Sequence, residues 1–449
     1  MRKSLIRKHA AAAPRYTSYP TAPHFHPGIG AEEYRAWLKG LAPGSSVSLY
    51  VHIPFCDTLC WFCGCHTKHT LRYEPVAQYL VPLQKEIETV ASLVPRDVRV
   101  TSIQWGGGSP TILEAEDILR LGNWLTGNFT PAQDCEFGIE IDPRGMTEAK
   151  VAAMAKAGCN RASIGVQDFD PAVQKAVNRL QSYEETRDIV AALRAAGIGA
   201  INIDCMYGLP GQTRDSVADT VSQVLSLKPS RIAMFGYAHV PWLKPHMKMI
   251  DEAALPGPEE RFAQANRASS LIAQAGYVRI GLDHFALPDD PMAQALETGS
   301  LKRNFQGYTT DTAPALLGFG ASAIGRLPSA YVQNAPANAD YARRVAETGL
   351  ATVRGIALSD DDRMRGYAIE RLMCEHRLIR DELLEKFPDL ADELLSEIEY
   401  LADNDPDRLI ERTDDGFAVT STGRPFVRAI CASFDPYFAK GTAKHSIAV

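Results

Sequence analysis

The sequence lacks any long apolar run and any excess of positive charge. No stretch of about 18 consecutive apolar residues occurs, so no segment of the 449 residues is predicted to cross a membrane. The formal net charge of −7 argues against nucleic-acid binding, since that requires a dominant basic surface. Residues 1–15 are basic and free of acids, as in an organelle transit peptide, but they lack the apolar core of a secretory signal. A cytoplasmic protein is therefore expected.

The cysteines are crowded rather than spread. The chain has nine cysteines, an odd number, and four of them fall between Cys56 and Cys65. A disulfide framework would instead distribute pairs along a small secreted chain. The pattern favours a metal site in a protein of a reducing compartment.

Short β-prone runs alternate with segments of helical period. The runs are 48–54, 101–105, 135–141, 161–166, 201–207 and 231–238. Between the first two, apolar residues of 76–94 recur at helical spacing and form one stripe. Such alternation predicts parallel pairing. Six units predict an α/β fold, a partial (β/α)6 TIM-type barrel with its chemistry at the C-terminal ends of the strands.

The chain is predicted to have three parts: an N-terminal arm (1–46), the barrel and its extension (47–355), and a smaller, mainly helical C-terminal domain (356–449). Ser359 precedes three aspartates and is a favourable N-cap for the first helix of that domain. Within 409–420, the sequence Asp414-Asp415-Gly416 separates two β-prone runs and predicts a hairpin.

The segment YVHIPFCDTLCWFCGC carries the strongest chemical signal. It contains the spacing C-x-x-x-C-x-x-C and follows the first predicted strand. Zinc ribbons usually need a second, distant C-x-x-C pair, which the sequence does not have. Three thiolates in one compact loop can hold three irons of a [4Fe–4S] cluster and leave the fourth open to a reacting ligand. A structural zinc and plain buried cysteines are the alternatives.

This loop resembles the signature of radical S-adenosylmethionine (SAM) enzymes. The resemblance implies that Cys56, Cys60 and Cys63 are the cluster ligands, whereas Cys65 is not. The glycines of QWGGGSPT, at the end of the second strand, resemble the family element that holds the methionine part of SAM. A tight structural turn is the alternative for this glycine triplet, since glycine allows any close backbone approach.

Seven segments in order narrow the resemblance. PRYTSYPTAPHF, the cysteine loop ending in Cys65, IQWGGGSPT, IEIDPR, ASIGVQDF, INIDCMYGLPGQT and GFGASAI together resemble the oxygen-independent coproporphyrinogen III oxidase family. The resemblance runs from about Pro14 into the C-terminal domain. It implies that two propionates of coproporphyrinogen III lose CO₂ and become vinyl groups, which gives protoporphyrinogen IX without oxygen.

The same resemblance implies two bound SAM molecules and no catalytic side chain beyond those holding the cluster and SAM. The residues implied for the SAM on the cluster are Tyr50, Phe62, Gly107, Glu140 and Ile324. The residues implied for the second SAM are Gly108, Ser109, Gln167, Arg179, Asp204 and Ala238. Ser109 stands where threonine is common in the family, but its hydroxyl remains. Capping or salt-bridge roles are the alternatives for Glu140, Gln167 and Asp204.

The resemblance also implies partners. An electron donor such as flavodoxin or ferredoxin feeds the cluster, an unidentified acceptor takes one electron, and a monomer is expected.

The basic arm, with Arg2, Lys3, Arg7, Lys8 and Arg15, would cover the mouth of the site and meet propionates, or it is a solvated tail.

Several residues carry no firm assignment. His52 would tune the cluster or be an ordinary core histidine, and His284, Arg303 and Asn304 would line the porphyrinogen pocket or be structural. The rival functions are a haem-trafficking or tetrapyrrole-modifying relative and a zinc-bound interaction protein.

Overall fold

A computed structural model of the chain describes residues 3–9 and 13–440. Its strands, in chain order, are β1 (Ser46–Ile53), β2 (Phe55–Cys56), β3 (Lys68–His69), β4 (Arg99–Gly107), β5 (Thr130–Ile141), β6 (Arg161–Gln167), β7 (Ala200–Tyr207), β8 (Arg231–Gly236), β9 (Val278–Ile280), β10 (His284–Ala286), β11 (Lys302–Asn304), β12 (Gly307–Thr309), β13 (Ala315–Phe319), β14 (Ile324–Leu327), β15 (Ala330–Asn334), β16 (Thr352–Ala357), β17 (Arg377–Ile379), β18 (Ile410–Thr413) and β19 (Gly416–Val419).

The α-helices lie between and after these strands. In chain order they are α1 (Lys3–His9), α2 (Ala31–Lys39), α3 (Glu74–Leu93), α4 (Ala115–Asn128), α5 (Glu148–Lys156), α6 (Pro171–Ala176), α7 (Tyr183–Ala195), α8 (Arg214–Ser226), α9 (Pro258–Gln274), α10 (Pro291–Glu297), α11 (Asn338–Thr348), α12 (Asp360–Glu375), α13 (Arg380–Lys386), α14 (Ala391–Asp403), α15 (Val427–Ala432) and α16 (Pro436–Lys440). None of the helices within the described residues combines the length and apolarity that crossing a bilayer demands.

The central sheet is mostly parallel. Its strand order is β16-β15-β14-β13-β1-β4-β5-β6-β7-β8-β10-β9, and the run from β13 to β8 pairs in parallel. All six strands of the predicted barrel are confirmed. A further parallel strand, β13, was not predicted; it pairs with β1 through Leu49 opposite Leu317. Antiparallel strands extend both edges.

The helix α3 shows why the local pattern was readable. Its apolar stripe, with Val76, Leu80, Leu83, Ile87 and Val90, is at most 1% exposed. The stripe packs with the strands in the main hydrophobic core. Because one helix face is buried and the other is solvated, the period of 3.6 residues is visible in the sequence.

The C-terminal region has its own hydrophobic core. Its first helix, α12, begins with a capping box, in which Ser359 Oγ accepts from the Asp362 amide at 3.1 Å. The predicted hairpin is confirmed, since β18 and β19 pair antiparallel on either side of Asp414 and Asp415. The core of this region also includes Tyr16 and Tyr19 of the N-terminal segment. The domain boundaries themselves stay a prediction.

The basic N-terminal arm is attached to the body of the protein. Lys3 and Arg7 form ion pairs with Glu259 on α9, each at 2.7 Å. Lys8 pairs with Asp407 at 2.5 Å. In the structure these three cations contact carboxylates and do not line the cavity described below, and a role toward propionates stays a prediction. Arg2 lies outside the described residues.

Candidate active site

The cysteine loop lies between β1 and α3 and is held from two other segments. From the α6 side, Trp61 donates its amide to Val177 O and Asn178 donates Nδ2 to Leu59 O, both at 2.9 Å. From the segment after β8, Lys244 donates Nζ to the carbonyl of Cys65 at 2.8 Å. The loop therefore has a defined shape over the C-terminal ends of the strands.

Each of the three predicted ligand thiols is free and accepts a hydrogen bond. Thr67 Oγ1 donates to Cys56 Sγ at 3.1 Å. The Cys65 amide donates to Cys63 Sγ at 3.4 Å. Two guanidinium groups reach Cys60 Sγ, from Arg144 at 3.6 Å and from Arg179 at 3.4 Å. Hydrogen bonds to sulfur are a main means by which proteins tune iron–sulfur clusters.

The thiols differ in their ease of ionisation. The hydrogen bond with Cys65, helped by the nearby charges of Lys244 and Arg179, lowers the pKa of Cys63 to about 6. Burial raises the pKa of Cys56 to about 12. Hydrogen bonding with Cys63 raises the pKa of Cys65 well above its ordinary value. A bound cation would favour the thiolate at all three ligand positions.

The donor set fits an iron–sulfur cluster. Cys56, Cys60 and Cys63 are free thiols in one loop, line one cavity and have N–H or O–H donors on their sulfurs. Within residues 3–9 and 13–440, no three His, Cys, Asp or Glu side chains are drawn together around a single ion position. The fit therefore rests on the chemistry and spacing of the loop.

The glycine triplet brings backbone close to the cysteine loop. Gly107 has φ +115°, which favours glycine, and a Cβ there would meet the His52 ring at 2.7 Å. A Cβ on Gly108 would come within 2.5 Å of Phe55 O, next to Cys56. The absence of side chains at both positions is required by packing.

Polar groups line the C-terminal ends of the next strands. Glu140 on β5 accepts the amide of Gly107 at 3.2 Å, and burial together with the charge of Asp204 raises the pKa of Glu140 to about 7. Asp204 on β7 accepts from Ser163 Oγ at 3.1 Å, and burial raises its pKa as well. Gln167 ends β6 with φ +68°, an uncommon conformation for a non-glycine residue that is often found at functional sites.

One cavity of about 980 Å³ contains all these groups. Every residue predicted to hold the cluster or SAM lines it: Tyr50, Cys56, Cys60, Phe62, Cys63, Gly107, Gly108, Ser109, Glu140, Gln167, Arg179, Asp204, Ala238 and Ile324. The structure therefore brings the whole predicted set together. Which of them bind a cofactor stays a prediction.

The structure also gives His52 a defined setting. Its Nδ1 is 2.9 Å from Tyr50 Oη, and its Nε2 is 2.9 Å from the carbonyl of His66. Burial lowers its pKa to about 4, so the ring is neutral. Since a carbonyl only accepts, Nε2 carries the proton and Nδ1 accepts from Tyr50. The histidine thus braces the cysteine loop against β1.

Other residues at the cavity were only partly anticipated. His284 and Arg303 line it, as does Arg15 of the arm. Asn304 bonds the amide of Gln306 through Oδ1 at 2.9 Å, which supports its structural alternative. Sequence reasoning missed further lining arginines, among them Arg261 and Arg428. No local pattern distinguishes these arginines from surface ones.

Comparison with known proteins agrees with this geometry. The model of the radical SAM superfamily matches residues 50–224. An oxygen-independent coproporphyrinogen III oxidase of Bradyrhizobium diazoefficiens is 47% identical over 97% of both chains. The Escherichia coli protein of the same name is 41% identical over 97% of this chain and 95% of its own. The solved structure of coproporphyrinogen III oxidase (HemN) from Escherichia coli, a radical SAM enzyme, superposes with TM-score 0.90 at 39% identity over 94% of this chain and 97% of that one.

Proposed function

The chain belongs to the family of oxygen-independent coproporphyrinogen III oxidases, and on that premise we propose how its cavity carries out the family reaction. The enzyme oxidatively decarboxylates two propionates of coproporphyrinogen III to vinyl groups, which gives protoporphyrinogen IX for haem synthesis. One observation carries the proposal: the three-cysteine loop and the polar ends of β5, β6 and β7 face the same cavity of about 980 Å³.

Cys56, Cys60 and Cys63 hold a [4Fe–4S] cluster through their thiolates. A bound cluster would supply the electron for reductive cleavage of SAM, and this chemistry would provide the radical needed to abstract hydrogen from the β-carbon of a propionate. Arg144 and Arg179, which reach Cys60 Sγ, offset the negative charge of the thiolates. Cys65 is not a ligand.

Two SAM molecules occupy the cavity. The SAM on the cluster is held by Tyr50, Phe62, Gly107, Glu140 and Ile324, and the second by Gly108, Ser109, Gln167, Arg179, Asp204 and Ala238. The half-buried carboxylates of Glu140 and Asp204 suit the ammonium and ribose hydroxyl groups of SAM. The bare backbone at Gly107 and Gly108 allows SAM to approach closely.

The electron balance requires two partners. One electron enters through a small carrier such as flavodoxin or ferredoxin. After hydrogen abstraction the propionate loses CO₂ and one electron, so an unidentified acceptor must take that electron for the vinyl group to form. The reaction requires that water be kept away from the radical. A monomeric state and a cytoplasmic location remain predictions.

An anaerobic assay tests the proposal. Reconstituted protein is given dithionite, SAM and coproporphyrinogen III, and 5′-deoxyadenosine and porphyrin products are measured together, with Cys63→Ala as control. A tripropionate intermediate followed by protoporphyrinogen IX, both absent in Cys63→Ala, is expected. Deoxyadenosine without decarboxylated product would reject the proposed substrate and favour a haem-trafficking or tetrapyrrole-modifying role.

A further inference from the structure

Four of the arginines that line the cavity come from three parts of the chain and lie outside the cysteine loop. Arg15 comes from the N-terminal arm, Arg261 from α9, Arg303 from β11 and Arg428 from α15. The cations that contact Cys60 are instead Arg144 and Arg179. The four arginines, named here the arginine cluster, therefore lie apart from the groups that contact the thiols.

Arg303 and Arg428 of the arginine cluster donate hydrogen bonds to the backbone around Arg15. Arg303 donates Nε to Tyr16 O and Nη2 to Arg15 O, both at 3.2 Å. Arg428 donates Nε to Pro14 O at 2.9 Å. The N-terminal peptide is thereby fixed so that the exposed side chain of Arg15 lines the cavity.

The arginine cluster also has two buried N–H donors without a hydrogen-bond partner among the described residues. Arg303 Nη1 and Arg261 Nε are both buried and make no hydrogen bond within the described residues. The guanidinium of Arg303 lies 4.5 Å from the centre of the Tyr308 ring, so its plane is held in place. An unpartnered charged donor is costly inside a protein, and an anionic ligand would remove that cost.

Positive charge exceeds negative charge here. Asp283 is a carboxylate that faces the arginine cluster, and it is bonded to His284 at 2.8 Å. Burial opposes ionisation of Asp283, but the contact with His284 and the charges of Arg303 and Arg15 keep its pKa below the ordinary value. Burial and the charges of Arg15 and Arg303 lower the pKa of Arg428 to about 10, since like charges repel.

We propose that Arg15, Arg261 and Arg303 bind the two propionates of the porphyrinogen that are not decarboxylated. This inference rests on the proposed function, and it assigns the orientation of the macrocycle in the cavity. The retained propionates are neighbours on adjacent rings, so one cluster of cations can hold both. Guanidinium groups are well suited to carboxylates because they donate in pairs.

The chemistry of decarboxylation distinguishes the retained from the reacting carboxylates. A reacting carboxylate leaves as neutral CO₂, so it loses its negative charge during the reaction. A strong cation clamp would stabilise the charged ground state more than the transition state and would slow the loss of CO₂. Retained carboxylates keep their charge throughout, so clamping them orients the substrate at no cost to the rate.

Binding of two unreactive porphyrins to the reconstituted protein tests this assignment. Coproporphyrin III has all four propionates, whereas mesoporphyrin IX keeps only the two retained ones and carries ethyl groups at the reacting positions. Fluorescence titration is done with wild type, Arg15→Gln and Arg303→Gln. The control is Arg267→Gln, an exposed arginine on the same helix as Arg261. Melting curves check the folding of each variant.

We expect Arg15→Gln and Arg303→Gln to weaken binding of both porphyrins by about 10- to 100-fold, the range for a lost charged hydrogen bond. Arg267→Gln should bind both as the wild type does. In turnover, Arg15→Gln should raise KM with little change in kcat, because it removes binding shared by ground and transition states.

Three outcomes would overturn the inference. If the wild type decarboxylates the substrate but Arg15→Gln and Arg303→Gln bind both porphyrins as tightly as the wild type does, the role of the arginine cluster is rejected and the proposed function stands. If the variants bind coproporphyrin III more weakly but bind mesoporphyrin IX as the wild type does, the arginine cluster holds the reacting propionates instead. A wild type that binds neither porphyrin and yields no decarboxylated product would reject the proposed function as well.

Discussion

The guanidinium of Arg179 donates a hydrogen bond to the sulfur of Cys60 across 3.4 Å. The same Nη1 atom is 3.2 Å from Asp142 Oδ2, and Nη2 donates to the carbonyl of Gly165. The cation is therefore held by a carboxylate and a strand end while it faces the thiol. This arrangement links the cluster loop to the residues proposed to hold the second SAM.

Arg179→Gln is expected to make the cluster harder to reduce. Removing a cation beside a ligand sulfur destabilises the more negative, reduced state. We expect the midpoint potential to fall by on the order of 60 mV, which corresponds to a tenfold change in the equilibrium constant for one electron. The potential is measured by anaerobic titration followed by electron paramagnetic resonance.

Arg187→Gln is the matched control for that titration, because Arg187 is an exposed residue paired with Asp188 on α7. Its potential should equal that of the wild type. An unchanged potential in Arg179→Gln would show that the arginine does not influence the cluster electrostatically.

Loss of any one ligand cysteine should remove the cluster. Cys56→Ala, Cys60→Ala and Cys63→Ala are each expected to lose most bound iron and sulfide and the brown colour, since three thiolates are the minimum set here. Cys374→Ala, which removes a buried thiol elsewhere, should keep the full content. Iron and sulfide are assayed after anaerobic reconstitution. Loss of iron in Cys65→Ala would contradict the proposal that Cys65 is not a ligand.

Gly108→Ala should strain the junction of the glycine triplet and the cysteine loop. The new Cβ would lie 2.5 Å from Phe55 O, and this oxygen already accepts the amide of Ser109 at 2.8 Å. We expect the free energy of unfolding to fall by about 1–3 kcal/mol, as for other overpacked sites, and the affinity for SAM to fall with it. Urea unfolding and equilibrium dialysis measure the two effects.

Gly199→Ala controls for the general effect of adding a methyl group. No heavy atom lies within 4 Å of a Cβ built there, so both measurements should stay close to wild type. Equal effects of the two substitutions would argue against a specific close approach at Gly108.

Glu86 should make the protein less stable as the pH rises. Its fully buried carboxylate accepts from the Gly320 amide at 2.8 Å, from Tyr341 Oη at 2.7 Å and from Asn334 Nδ2 at 2.7 Å. Burial outweighs these hydrogen bonds and raises the pKa of Glu86 from 4.5 to about 7. Because the folded pKa exceeds the unfolded one, the stabilising contribution is complete below pH 4.5 and is lost by about pH 7.

The variant Glu86→Gln isolates this effect, since an amide does not ionise. Between pH 5 and pH 8 the free energy of unfolding of wild type, measured relative to Glu86→Gln, should fall by about 3 kcal/mol. Urea unfolding at both values gives the difference. Glu88→Gln, an exposed position on the same helix, should show no such trend. A difference between wild type and Glu86→Gln that does not vary with pH would reject the raised pKa.

Two of the parallel strands were readable because their burial alternates with a local period. β6 and β7 show such alternation, and each predicted strand lies at its place in the observed sheet. The strand β13 has only five residues. Its pairing with β1 was not predicted, because the partner lies at the other end of the barrel segment and no local period records it.

The predicted site residues line one cavity for a similar reason. The cysteines are neighbours in sequence, and Glu140, Gln167 and Asp204 stand at or near the C-terminal ends of parallel strands, which meet at one edge of a barrel. The arm was not predictable in the same way. Its cations Lys3, Arg7 and Lys8 form ion pairs with acidic residues on α9 and before β18. Which residues pair in this way depends on how the arm packs on the rest of the protein.

The sequence by itself determined the three-cysteine loop, the strand–helix alternation and the polar residues at or near the strand ends. Tertiary structure alone decided that Arg15, Arg303 and Arg428 share one cavity. The reason is physical: a local pattern encodes which face of an element is buried. The meeting of three distant arginines depends on how an arm, a barrel and a helical region pack, and that information is spread over the whole core.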